Sequence, residues 1–332
     1  MQKFLIIQTA FIGDVVLATA LIEKLHAHFP DAQIDFLVRK GNETLLTGHP
    51  FLQEVIVWDK KNHKQRNLWK TIRRVRRSKY DKVINVQRFA ATGLLTALSR
   101  AKEKIGFDKN PFSLLFDRKV KHIINDGRHE TERNTALVEH FTDASVFRPK
   151  LYPSAGDKEK VAIYKKSEFI TISPSSVWFT KQYPKDKWIE FVNTVPANYT
   201  IYLLGGPGDG ALCDEIKAGS GYRSIENLSG QLSFLQSAAL MMDAVMNYVN
   251  DSAPLHFASA VNAPVTAIYC STLPLFGFGP LSDNSNIVEI DGELYCRPCG
   301  LHGRRQCPEG HFRCAYEIKV GRLLTTLPNI QT

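Results

Sequence analysis

The chain has 332 residues, enough for two α/β domains of ordinary size, and its 44% hydrophobic and 23% charged content is that of a soluble globular enzyme. No stretch reaches the roughly 18 to 20 apolar residues that span a bilayer, and the opening Met-Gln-Lys-Phe-Leu-Ile-Ile-Gln reads as a short buried strand, with too few apolar residues and no small-residue cleavage site for a signal peptide. The formal net charge of +9 points to an anionic partner, for which nucleic acid, a membrane surface and a phosphorylated glycolipid all qualify. A cytoplasmic protein, peripheral to the inner face of a membrane, is the expectation.

In chain order the pattern predicts a strand at 4–8, a helix at 14–28, and strands at 34–38, 54–57 and 82–85, with helical segments between them. At 151–160 the pattern lapses into Pro, Ser, Gly and charge, which sets domains at 1–155 and 156–332. Alternation then restarts: a strand at 169–172, a helix at 188–194, a strand at 200–204, helices at 210–218 and 232–242, a strand at 244–249, a helix at 254–260 and a last strand at 265–269. Short apolar strands alternating with helices imply parallel sheets covered on both faces. Two such halves with a cleft between them suit a ligand held at the carboxyl ends of the strands.

Three loops at strand ends carry the polar chemistry. The first is Thr9-Ala10-Phe11-Ile12-Gly13-Asp14, where a turn with glycine leads into a helix. Such a helix start favours anions. The Gly-x-Gly-x-x-Gly dinucleotide fingerprint is absent. Asp14 sits just where the helix begins, and its ordinary reading is an N-cap or first-turn carboxylate. The second loop, Ser173-Pro174-Ser175-Ser176-Val177-Trp178-Phe179-Thr180-Lys181, combines hydroxyls and a lysine that suit a pyrophosphate. The third, Asn250-Asp251-Ser252-Ala253-Pro254-Leu255-His256, again opens a helix. There Asp251 or Ser252 caps the helix or faces a ligand, and His256 is either a hydrogen-bonded core residue or a ligand contact.

With those loops in place the sequence resembles glycosyltransferase family 9, the heptosyltransferases of lipopolysaccharide inner-core assembly. The residues that carry the likeness are Ile12-Gly13-Asp14-Val15-Val16 with Ala18-Thr19, Lys181-Gln182-Tyr183-Pro184 with Trp188, Leu204-Gly205-Gly206-Pro207-Gly208-Asp209, Asn227-Leu228-Ser229-Gly230-Gln231, and Asn250-Asp251-Ser252 with Leu255-His256. They occur in the family's order across nearly the whole chain. The resemblance implies an α/β GT-B fold, two Rossmann-like domains facing across a central cleft, with the acceptor on the N-terminal domain and the nucleotide sugar on the C-terminal one. It implies inverting transfer of a heptose from ADP-heptose to a lipopolysaccharide-type acceptor. Asp14 becomes the general base, and Lys181 the group that neutralises the leaving diphosphate. Thr9, Gly13, Ser175, Ser176, Thr180, Gly206, Asp209, Leu228, Asp251, Ser252, Ala253 and His256 become donor contacts, with amides at the helix start after Asp251 adding to them. No Asp-x-Asp motif occurs, so no cofactor is expected for catalysis. The sequence departs from the family at Ala253-Pro254, where Asp-Thr/Ser-Gly is usual. The other readings are a GT-B transferase with another nucleotide sugar or glycan acceptor, and a non-catalytic binder of sugar nucleotide or glycolipid. A pure binder needs no base, so the pair Asp14 and Lys181 argues against it.

Residues 60–82 hold eleven basic side chains and one acid, Asp81, a local charge of 11 − 1 = +10. That imbalance is too large for pairing within one helix. Trp69, Ile72 and Val75 add an apolar edge at a spacing of three, so a basic amphipathic helix on an anionic surface is expected. Arg73, Arg74, Arg76 and Arg77 are candidates for acceptor phosphates or anionic lipid. Arg88 is a second acceptor candidate or a structural ion-pair partner. No recognition motif supports nucleic acid. Finally, Cys296, Cys299, Cys307 and Cys314 make Cys-x2-Cys-x7-Cys-x6-Cys. The first pair has zinc-knuckle spacing, so a structural zinc is set against free thiols, and two disulfides are disfavoured in a reducing cytosol. Cys213 and Cys270 read as reduced core residues.

Overall fold

The computed structural model describes residues 1–328. The chain divides into two compact units, Met1–Tyr152 and the part from Pro153 onward, joined at the Pro-Ser-Ala-Gly stretch where sequence patterning lapses.

The first unit is an open, wholly parallel sheet of β1 (Lys3–Ile7), β2 (Gln33–Arg39), β3 (Glu54–Trp58), β4 (Lys82–Asn85), β5 (Glu103–Phe107) and β6 (Arg118–Val120), in the order β3-β2-β1-β4-β5-β6. Its longer helices are α1 (Ile12–His28), α2 (Lys64–Ser78) and α3 (Ala90–Ala97), with a short α4 at Glu130–Thr135. The four residues Phe4 to Ile7 of β1 are all fully buried, which requires cover on both faces of the sheet. Leu5, Ile7, Leu37, Ile56, Trp58, Ile72, Val75, Val83 and Leu95 form one core cluster on the face covered by α2 and α3.

The second unit repeats the plan. Helices α5 (Ala155–Val161), α6 (Lys185–Thr194), α7 (Gly210–Gly219), α8 (Phe234–Met241) and α9 (Ala253–Ala260) accompany strands β7 (Phe169–Ser173), β8 (Thr200–Leu203), β9 (Ile225–Asn227), β10 (Met246–Asn250), β11 (Val265–Tyr269) and β12 (Ser285–Glu289). The order β12-β11-β10-β7-β8-β9 is the first sheet's order read from the other edge. In each sheet the chain reverses its direction of travel between the first and fourth strands of the unit, and the loops leaving those two strands open a crevice there.

Four strands lie outside the sequence expectations: β5, β6, β9 and β12, so Val265–Tyr269 is not the last. Each is short or charged. The strand β6 reads Arg-Lys-Val and β9 reads Ile-Glu-Asn, and both are sheet edges where alternation is weak.

Lysine 24, on α1, is fully buried yet charged. Its ammonium meets Asp143 Oδ1 at 2.5 Å and Ser145 O at 2.8 Å, tying the 143–145 turn to the helix that carries Asp14. Lys24, through its hydrogen bond, is the first cause that holds the Asp143 carboxyl well below the ordinary carboxylate range. A depressed carboxylate contributes stability above its unfolded pKa and loses it as pH falls through the folded one. Asp143→Asn is therefore expected to lower the melting temperature at neutral pH, where it leaves Lys24 without its counter-charge, and the gap to wild type should close as pH falls below the carboxylate range. Thermal melts across a pH series check this.

Candidate functional site

In the first unit the loop after β1 is built from four separate segments. Thr9 is buried, and its hydroxyl donates to Gln87 Oε1 at 2.5 Å, which joins the loops leaving β1 and β4 at the crevice. The Lys60 ammonium donates to Thr9 O at 2.9 Å and Thr9 Oγ1 at 2.7 Å, and Asn42 Nδ2 holds Ala10 O at 3.0 Å. Thr9 thus spends its polar groups on the protein itself. Burial, followed by the charges of Arg39 and Lys64, lowers the Lys60 pKa to about 8. No local pattern flags Gln87 or Lys60 as loop partners, because they lie 78 and 51 residues from Thr9.

The helix itself starts at Ile12, so Asp14 sits in its first turn rather than at its cap, which is Phe11. Gly13 is buried and Asp14 is partly exposed. A carboxylate there is favoured by the helix dipole. Arg88 follows β4 on the exposed side, and its charge acts on Glu130 and His122. His122, buried and facing Arg88, Arg133 and Lys109, is pushed down to about 4, with burial the larger cause.

In the second unit the loops leaving β7 and β10 meet. Asn250, fully buried at the end of β10, accepts from Tyr183 N at 3.0 Å and donates to Pro174 O at 2.7 Å. This one amide fixes the second loop at both ends. Lys181 Nζ lies 2.7 Å from Asp251 Oδ2, and the same oxygen accepts the Thr272 hydroxyl at 2.6 Å. The side chains of Lys181 and Asp251 are only 15% and 8% exposed, so the pair is largely removed from water. Asp251 is thereby engaged as an ion-pair partner. Ser252 occupies the N-cap of α9 without capping it through its side chain, and Ala253-Pro254 forms the first turn, where proline is well tolerated. The hydroxyls of Ser252 and Ser173 are shielded from solvent and have no hydrogen-bond partner among the described residues. Such groups cost free energy unless something outside the protein completes them. Ser175 and Ser176 are partly exposed on the same loop, and His256 is buried on α9.

The remaining donor candidates are positioned differently. Thr180 is fully buried, and its hydroxyl is taken up by Arg304 N at 2.7 Å and Ser271 Oγ at 2.9 Å. Asp209 Oδ2 accepts from Gly206 N at 2.7 Å, and buried Leu228 donates its N–H to Leu203 O at 2.9 Å. Gly206, Asp209 and Leu228 therefore shape the corner at the ends of β8 and β9.

Helix α2 differs from expectation in one respect. Ile72 and Val75 turn inward to the core, while Trp69 stays 47% exposed. The apolar edge serves the fold, and the outer face is basic with one aromatic. A shallow groove of about 430 Å³ is lined by Lys70, Arg73, Arg74, Arg77 and Ser78. Of Arg73, Arg74, Arg76 and Arg77, only Arg74 has a carboxylate partner among the described residues, Glu54. Lys60 and Lys82 leave the basic face altogether, for Thr9 and Glu103 respectively.

All six cysteines are free thiols. Cys296, Cys299, Cys307 and Cys314 share one neighbourhood, with Cys296 Sγ 4.0 Å from His311 Nε2. Burial, then the other three sulfurs, pushes Cys314 up to about 12. Among the described residues no group of three or more His, Cys, Asp or Glu side chains is arranged to hold a metal ion.

A sequence model of glycosyltransferase family 9 (heptosyltransferase) matches residues 68–311. Lipopolysaccharide heptosyltransferase 3 of Escherichia coli (strain K12) is 28% identical over 82% of this chain and 83% of its own length. Among solved structures, the E. coli ADP-heptose lipopolysaccharide heptosyltransferase II superposes with a TM-score of 0.81 at 22% identity, covering 98% of this chain and 97% of that one. The E. coli heptosyltransferase WaaC, solved with ADP-2-deoxy-2-fluoro heptose, gives a TM-score of 0.70 at 18% identity over 88% and 94% of the two chains. The two Rossmann-like sheets are those of the GT-B fold.

Proposed function

The chain belongs to glycosyltransferase family 9, and from that premise we propose that it moves a heptose from ADP-heptose onto a lipopolysaccharide inner-core acceptor with inversion at the anomeric carbon. One observation carries the donor half of this reading. In the second unit the Lys181 ammonium meets Asp251 just before the start of α9, and Ser173 at the end of β7 and Ser252 at the N-cap of α9 carry hydroxyls with no hydrogen-bond partner among the described residues. That is the donor set a diphosphate takes: fixed positive charge, hydroxyls and helix amides. The named relatives include one that is an ADP-heptose enzyme and one solved with an ADP-heptose analogue, which supports the same donor.

In this reading Asp14 removes the proton of the acceptor hydroxyl as that oxygen attacks the anomeric carbon. The bond from that carbon to the diphosphate breaks, ADP departs with the electron pair, and Lys181 offsets its charge. Lysine carries three donors. Asp251 takes one, so the others are available to phosphate oxygens. The partly exposed, first-turn position of Asp14 supports its role, since a base must reach solvent-borne substrate. Asp14→Asn is expected to cut turnover by about 10²-fold or more while the affinity for ADP-heptose stays near wild type. Steady-state transfer rates beside calorimetric donor titration check it. Unchanged turnover would remove Asp14 from the chemistry.

The acceptor side rests on α2. The guanidinium groups of Arg73, Arg76 and Arg77, which have no carboxylate partner among the described residues, and the exposed Trp69 support contact with acceptor phosphates and with an anionic membrane surface. Among the described residues no helix is long and apolar enough to cross a membrane, so any such contact is at the surface. Replacing Arg73, Arg74, Arg76 and Arg77 together by Gln should weaken binding to anionic vesicles and raise the acceptor KM, with donor affinity kept. Unchanged sedimentation with vesicles and unchanged acceptor kinetics would contradict it.

A structural zinc on Cys296, Cys299, Cys307 and Cys314 stands as a separate proposal, supported by the Cys-x2-Cys pair and the nearness of the four sulfurs. Metal analysis of purified protein is expected to give one zinc per chain, and chelation to lower the melting temperature. Substoichiometric zinc with no effect of chelation rejects it.

A further inference from the structure

We propose that residues 297–304 form a built-in strap that positions Lys181, with Thr180, Ser271 and Gly303 as the positioning residues. This rests on the reading of Lys181 as the group that receives the donor diphosphate.

The strap is stitched at three levels. At its start the Arg297 guanidinium, only 8% exposed, donates to Cys270 O at 2.7 Å and Thr272 O at 2.8 Å, and pairs with Glu289 of β12. It thereby grips the chain just beyond β11. In the middle, Cys299 N donates to Ser271 O at 2.9 Å. At its end, Arg304 and Thr180 bond in both directions. Thr180 N donates to Arg304 O at 3.1 Å, and Arg304 N donates to Thr180 Oγ1 at 2.7 Å. Ser271 closes the network. Its N–H donates to Thr180 O at 3.2 Å, and its hydroxyl donates to Thr180 Oγ1 at 2.9 Å.

Every polar group of Thr180 is thus committed to the strap or to Ser271. Thr180 is the residue before Lys181, so fixing its backbone fixes the point from which the lysine stem leaves. The stem is then walled. Gly303 has φ +74°, and a Cβ placed on it would stand 2.9 Å from Lys181 Cγ and 3.0 Å from Thr180 Oγ1. Only a glycine lets the strap lie this close to the lysine while holding that backbone conformation. At the far end Asp251 holds the ammonium group, and Thr272, which carries one of the strap's anchor carbonyls, holds Asp251. Lys181 is therefore fixed at its root, along its stem and at its head. A long flexible side chain loses substantial rotamer entropy when it is fixed. Here that loss is taken during folding, before the ligand arrives, which is how a preorganised charge gains affinity.

The test compares ADP with adenosine by calorimetry on the full chain. Adenosine lacks the diphosphate, so the ratio of the two affinities reports on Lys181 and is insensitive to general loosening. Gly303→Ala is expected to reduce the preference for ADP by about tenfold, with adenosine affinity unchanged. Thr180→Val should do the same, and Thr180→Ser, which keeps the hydroxyl, should restore it. If Gly303→Ala does not fold, the Thr180 pair decides alone. A wild-type chain that prefers ADP, with variants that keep the full preference or lose both ligands equally, overturns the strap. A wild-type chain with no preference for ADP overturns the diphosphate reading itself, and the strap's purpose with it.

Discussion

The interaction on which the second unit's site depends is the ion pair between Lys181 and Asp251. Both groups are mostly out of water. Removing charges from water is costly, and such a pair persists only where further hydrogen bonds complete it. The Thr272 hydroxyl completes it on one side. On the other the ammonium keeps donors at the end of a parallel sheet, and Ser173 and Ser252 on the same two loops carry hydroxyls with no partner among the described residues. The site is therefore charged and preformed, which is what the proposed diphosphate role of Lys181 requires.

The fold supplies that condition by topology. Parallel strands aim all their carboxyl ends to one edge, and reversal of winding parts two neighbouring loops. In the second unit those loops are the ones that carry Lys181 and Asp251, and Asn250 locks them together. In the first unit they carry Thr9 and Gln87, joined by a hydrogen bond between their side chains. Asp14 then lies in the first turn of the helix that follows. The same six-strand plan has been used twice, with different side chains at equivalent places.

How much of this was legible in the sequence depends on range. Strands β1, β4, β7 and β11 are apolar runs bounded by polar turns, and their positions follow directly from hydrophobic pattern. Edge strands such as β6 and β9 bury little and leave no such pattern. Family likeness singles out Asp14, Lys181 and Asp251 as candidates, but not what their neighbours do. Thr180 reads from sequence as a ligand hydroxyl, yet it is fully buried and spent on Arg304, 124 residues away. Lys60 reads as one charge in a basic run, yet it reaches Thr9. Periodicity placed Trp69, Ile72 and Val75 on one edge, whereas the core takes only the last two. In each case the deciding contact is long-range, and no local window contains it.

The central claim is that this chain transfers heptose from ADP-heptose to a phosphorylated glycolipid. The most direct measurement incubates the protein with ADP-heptose and a heptose-acceptor lipopolysaccharide core, and follows ADP by chromatography and the acceptor by mass spectrometry. The account predicts one ADP released for each acceptor molecule that gains a single heptose, and no release without acceptor. Release that ignores the acceptor, or an acceptor that gains a sugar only from another nucleotide donor, would contradict it.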